Sequence, residues 1–151
     1  RCFSSHTMNH LVSLANMRAL LLLLLCLTSL RAEITRGEIG GAKFTVAAPE
    51  SWQGRLVLIA HGYRPENAPL GAELDTTDDF AAPLVKQGWA VAITSYRRNG
   101  WIIEDAILDL KALRDHIAEK HGAVKRCIVV GNSMGGLIGT LIAEGAMDGT
   151  Q

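Results

Sequence analysis

Residues 127–141 read CIVVGNSMGGLIGTL. The apolar run 127–130 ends in Gly131-Asn132-Ser133-Met134-Gly135-Gly136, and an apolar, helix-compatible run resumes at Leu137. A strand passing directly into a helix must reverse within three or four residues, and the residue at that corner takes a sparsely populated backbone conformation. Side chains two positions to either side would collide there, and glycine at 131 and 135 removes the collision. The Ser133 hydroxyl is then lifted clear of the sheet. It sits at a helix N-terminus, where free N–H groups and the helix dipole favour developing negative charge. From the residues alone, Ser133 is either a nucleophile held at this corner or a plain helix N-cap.

Working outward, the chain alternates strands and helices. Segments 34–39 and 43–48 flank Gly40-Gly41 as a hairpin ended by Pro49. Segments 55–60 and 89–94 are nearly continuous apolar runs, as expected of strands covered on both faces. A polar loop covers 62–77. Segment 78–88 then begins with acidic residues, has Pro83 in its first turn and stops at Gly88, which predicts a short helix. Ile103, Ala106, Ile107, Leu110, Leu113 and Ile117 recur at spacings of three and four before Gly122, which predicts a longer one. A fifth strand at 126–130 and a helix at 137–144 complete the pattern. The alternation predicts an α/β fold, a mostly parallel sheet with helices on both faces, without an internal domain boundary after residue 33.

Gly131-Asn132-Ser133-Met134-Gly135 resembles the G-x-S-x-G nucleophile elbow of the α/β-hydrolase family, with Gly136 letting the helix pack close. Ile59-Ala60-His61-Gly62-Tyr63, at the end of the third strand, is similar to the family's HG-x loop. The resemblance covers residues 33–151. It implies a serine hydrolase acting on a small-molecule ester or peptide through an acyl-enzyme on Ser133. It assigns the oxyanion to the backbone N–H groups of Tyr63 and Met134, gives His61 and Gly62 a loop-shaping role, and implies no metal or organic cofactor. An esterase and a serine peptidase of the prolyl-oligopeptidase type share these features, and an esterase is the preferred expectation.

In this family an acid and then a histidine follow the serine along the chain. No histidine follows Ser133 here, and Asp148 falls too early to be the acid. The chain is therefore expected to be roughly the N-terminal half of a hydrolase, truncated after the elbow helix and inactive or nearly so alone. Segment 126–130 would then be an unpaired apolar edge prone to aggregation. The rival reading is a non-catalytic hydrolase-fold protein that binds ligands or partners. A dinucleotide-binding fold is disfavoured, because Ser133 stands where the second glycine of GxGxxG must be.

Composition narrows the setting. Fifteen basic and fifteen acidic residues in 151 give zero formal charge, and no polybasic patch suggests a nucleic-acid partner. Residues 19–27 read ALLLLLLCL, behind Met17-Arg18 and ahead of Ala32. This is the layout of a signal peptide over 17–32, which predicts a secreted or periplasmic protein with no membrane attachment after cleavage. Residues 1–16 read as an upstream extension outside the native structure. The remaining body has twelve basic and fifteen acidic residues, a net charge of −3. Cys127 is its single cysteine, which excludes an internal disulfide and reads as a small core hydrophobe. His116 and His121 read as solvated or helix-terminal. Arg97 and Arg98 are expected to pair with the acidic loop residues Glu73, Asp75, Asp78 and Asp79, whose spacing fits no Ca²⁺ loop.

Overall fold

A computed structural model describes residues 32–148. The leader and the upstream extension lie outside the described residues, apart from Ala32, which opens the first strand. The elements are β1 (Ala32–Ile39), β2 (Ala42–Pro49), β3 (Arg55–Ala60), α1 (Ala81–Lys86), β4 (Ala90–Thr94), α2 (Ile103–His121), β5 (Arg126–Gly131) and α3 (Met134–Ala143). The strands form one sheet in the order β1-β2-β4-β3-β5. The β1–β2 hairpin and the β2–β4 pairing are antiparallel, while β4, β3 and β5 run parallel.

Alternation along the strands divides the core into two layers. Phe44, Val46, Leu56, Leu58, Ala90 and Ala92 face α2 and α3, which supply Leu110, Leu113, Ile117, Met134 and Ile138. Ala47, Val57 and Val91 face the other way, onto Ala81 and Val85 of α1 and Trp89. Helices therefore cover both faces, which is why the central strands read as unbroken apolar runs. Leu56, Leu58, Leu110 and Leu113 are all but sealed from solvent. Each contributes on the order of 2 kcal/mol through the apolar area it removes from water.

Local signals account for the helix limits. The Asp78 carboxylate accepts the N–H groups of Phe80 and Ala81, so α1 begins three residues after the acidic start expected for it. Glu104 and Asp105 occupy the first turn of α2 and Lys120 and His121 its last, an arrangement that suits the helix dipole at both ends. Gly122, at φ 105°, ends it. At the far end of the sheet, β3 and β5 bring Arg55 and Arg126 side by side in register. The two guanidinium groups share the ring of Trp89, at 5.4 and 5.6 Å from its centroid, and this offsets their mutual repulsion.

Three expectations require correction. Cys127 is exposed rather than buried, because β5 is a sheet edge, and Ile128 beside it is also open to solvent. Arg97 and Arg98 do not pair with the acidic loop. They bind Asp109 and Asp105 on α2, each at 2.6 Å, since the turn after β4 leads straight back onto that helix. His116 is half-buried rather than solvated and packs near the Phe44 ring at 5.1 Å, whereas His121 lies in the last turn of α2, as expected, with its ring 6.1 Å from that of Trp52.

The two sheet edges differ in chemistry. β1 carries Glu33, Arg36 and Glu38, charges that discourage pairing with another chain, whereas β5 presents Cys127 and Ile128. Residues 33–151 expressed by themselves are expected to self-associate, read as a concentration-dependent rise in mass by light scattering. Ile128→Lys should suppress that association without changing the far-UV circular dichroism.

Candidate functional site

The parallel register of β3 and β5 runs from Arg55↔Arg126 to Ala60↔Gly131, so both strands leave the sheet at the same level. His61-Gly62-Tyr63 departs from one and Asn132-Ser133 from the other. Helix α3 then starts at once, with Ser133 at its N-cap position. The Ser133 backbone has φ 52° and ψ −126°, a conformation that costs a non-glycine residue roughly 1–3 kcal/mol and persists only where its surroundings impose it.

Those surroundings are two strand ends and a helix in backbone contact. A Cβ placed on Gly135 would lie 1.9 Å from the Ala60 carbonyl oxygen and 3.0 Å from that of His61. A Cβ on Gly131 would lie 2.5 Å from the Gly135 carbonyl group and 2.6 Å from the Ala60 oxygen. Neither position accepts a side chain. Gly136 differs from the expectation of a close-packing residue: a Cβ there meets nothing nearer than 3.5 Å, an ordinary contact. Gly62 stands directly against the corner, since a Cβ on it would lie 3.5 Å from the Ser133 Cβ.

Ser133 is exposed and makes no capping hydrogen bond to the helix it precedes. Met134, the first residue of α3, is buried, and its N–H has no carbonyl partner within the helix. Tyr63 is 54% exposed, with its backbone next to Gly62 on the loop that faces Ser133. The structure thus brings together His61, Gly62, Tyr63, Ser133, Met134 and the glycines at 131 and 135. Among the described residues, no three His, Cys, Asp or Glu side chains gather as a metal-binding group.

His61 is 9% exposed and turned into the protein. Its Nδ1 is 2.7 Å from the Gly62 carbonyl oxygen and its Nε2 is 3.2 Å from that of Ser95. Both nitrogens face carbonyl acceptors, and a neutral imidazole donates to one of them at a time. Burial lowers the His61 pKa below its ordinary value, against the two carbonyl groups, which favour the protonated ring. Its ring stacks on Tyr96, with centroids 4.0 Å apart. Sequence reasoning passed over Tyr96, whose φ of 58° has no signature in a non-glycine residue.

Two outcomes follow from this geometry. Gly135→Ala should lower unfolding free energy by at least about 3 kcal/mol, whereas Gly136→Ala should be neutral or raise it by up to about 1 kcal/mol, both read from denaturant midpoints. The depressed His61 pKa sets the second. Below about pH 6.5 the unfolded chain gains a proton that the folded chain resists, so stability falls as pH falls. His61→Gln should flatten that part of a melting-temperature profile between about pH 7 and pH 5.

No protein-family model and no curated protein matches this sequence. Solved structures do match. A bacterial heroin esterase is similar over 89% of this chain and 46% of its own, at 22% identity and a TM-score of 0.55. A cold-adapted esterase from an Arctic intertidal metagenomic library is similar over 72% of this chain and 53% of its own, at 21% identity and a TM-score of 0.51. The chain spans between 36% and 53% of the length of such structures. With strands in the order β1-β2-β4-β3-β5, helices on both faces and the serine at the β5–α3 corner, the chain has the α/β-hydrolase fold.

Proposed function

We propose that the chain is the N-terminal part of an exported serine hydrolase that cleaves a carboxylic ester through an acyl-enzyme on Ser133. The observation that carries this reading is the serine itself, exposed at φ 52°, unused as a cap, and adjacent to the Gly62 loop. A helix cap needs neither the strain nor the two crowded glycines. An uncapped hydroxyl leaves the oxygen free to attack.

In the proposed reaction a base takes the Ser133 proton as Oγ adds to the substrate carbonyl carbon. The carbonyl π electrons move onto the oxygen, and the resulting anion is held by the N–H groups of Tyr63 and Met134. Each such donor is worth on the order of 3 kcal/mol in the transition state. Collapse expels the alcohol, which takes up the proton, and water then releases the acyl group. His61 is unsuited to be the base, because both ring nitrogens face backbone carbonyls and the ring is buried. The base and its acid partner are assigned to the protein beyond Gln151. The esterase names of the two similar structures favour an ester over a peptide bond. The leader over residues 17–32 supports a secreted or periplasmic location.

A fluorophosphonate probe tests the chemistry, since it reacts with activated serines. The complete protein, read through the codons beyond Gln151, should label, and Ser133→Ala should remove at least about 99% of the label. Equal labelling of both would eliminate Ser133 as the nucleophile.

A further inference from the structure

Among the described residues, two that are not glycine have positive φ: Ser133 and Tyr96. The first forms the corner between β5 and α3. The second lies in the turn between β4 and α2, to which the proposed reaction gives no task. A buried aromatic in this region is a backbone outlier, and the surrounding contacts show how it is held.

The Tyr96 N–H donates to the Thr94 hydroxyl at 3.2 Å. Its carbonyl accepts the Ser95 hydroxyl at 2.7 Å, and that hydroxyl oxygen accepts the Lys43 N–H from β2 at 3.0 Å. On the far side, Asp109 of α2 accepts the Arg97 N–H at 2.8 Å and binds the Arg97 guanidinium at 2.6 and 3.0 Å. Asp109 is 4% exposed, so this carboxylate is spent inside the protein on a single turn. A strand on one side and a helix on the other thus clamp Tyr96.

The clamp delivers a platform beneath His61. The Tyr96 ring is fully buried and stacks on the imidazole at an interplanar angle of 29°. Its hydroxyl donates to the His61 carbonyl at 3.3 Å, and burial pushes its pKa well above the ordinary value, which keeps it a donor. The same turn grips the loop further on, where Asn99 donates to the Ala68 carbonyl at 2.7 Å and the Gly100 N–H to that of Arg64 at 3.0 Å. Tyr63 lies between His61, whose carbonyl the Tyr96 hydroxyl holds, and Arg64, whose carbonyl the Gly100 N–H holds.

We propose that Tyr96 is a positioning residue for the oxyanion hole, the strained β4–α2 turn setting the His61-Gly62-Tyr63 backbone and so aiming the Tyr63 N–H. The inference rests on the reading of Ser133 as nucleophile. An N–H group slightly misdirected still tolerates a bound ester, but it loses its bond to the oxyanion, where charge develops in the transition state. The effect therefore falls on kcat and leaves KM nearly unchanged.

The test uses the complete protein with a short-chain p-nitrophenyl ester. Tyr96→Phe keeps the ring and removes the hydroxyl, and should lower kcat about two- to fivefold with KM within about twofold. Tyr96→Leu also removes the stack and should lower kcat at least about tenfold with the same KM. An unchanged kcat in either folded variant overturns the proposal, as does a loss that appears in KM alone. Should Tyr96→Leu not fold, Tyr96→Phe decides by the same criterion. Fluorophosphonate labelling separates the two readings. Wild-type protein that fails to label at Ser133 overturns the nucleophile assignment and this inference together, whereas intact labelling with unchanged kcat in the variants overturns this inference alone.

Discussion

Backbone-to-backbone contact between the end of β3 and the start of α3 is the constraint on which the rest of the site depends. The Ala60 carbonyl oxygen lies where side chains at 131 and 135 would otherwise be, and only glycine leaves it room. That approach brings the loop beginning at His61 against the corner at Ser133. It also obliges the chain to pass from β5 into α3 without a loop, which forces Ser133 to positive φ. Strain, exposure and proximity at the serine are thus three results of one packing demand. The energy that holds the strained residue comes from the apolar layers behind it, where Leu56, Leu58, Met134 and Ile138 interlock.

The opposite flank of the site is built on different terms. There the chain uses an ion pair and a ladder of short polar contacts, Asp109 to Arg97 and Ser95 to Lys43, to hold a turn that apolar packing alone would not specify. A buried carboxylate is costly to desolvate and becomes acceptable because Arg97 supplies both a backbone N–H and a fork of donors. The partial exposure of Arg97 matters too, since the cation keeps some of its hydration while the anion loses nearly all of it.

Much of the architecture was legible because it rests on periodicity. The α2 stripe, the hairpin around Gly40-Gly41 and the doubly covered β3 and β4 follow from spacing and composition, and the fold class follows from their order. The corner at Ser133 was legible because its steric demand falls on glycines, which have a sequence signature. What escaped rests on contacts distant in the chain. The apolar run 126–130 shows a strand suited to burial, not which partner covers it, so its place at the sheet edge was anticipated while Cys127 was still read as a core hydrophobe. The partners of Arg97 and Arg98 did carry a faint signal. Asp105 and Asp109 are four residues apart at the start of the next helix, on one face and within reach of a turn that doubles back. Tyr96 carried none, because nothing in its type betrays a left-handed backbone.

The matched lengths of β3 and β5 act as a ruler. Each has six residues, paired one to one from Arg55↔Arg126 to Ala60↔Gly131, and each ends where a segment of the candidate site begins. Inserting one residue into either strand would shift its terminus by about 3.3 Å and turn every side chain beyond the insertion to the opposite face. The serine and the 61–63 loop would then sit at different heights, however well the core repacked. The geometry of the candidate site is inherited from the counting of residues along a sheet, so an insertion here would separate Ser133 from the 61–63 loop even where every side chain in it is retained.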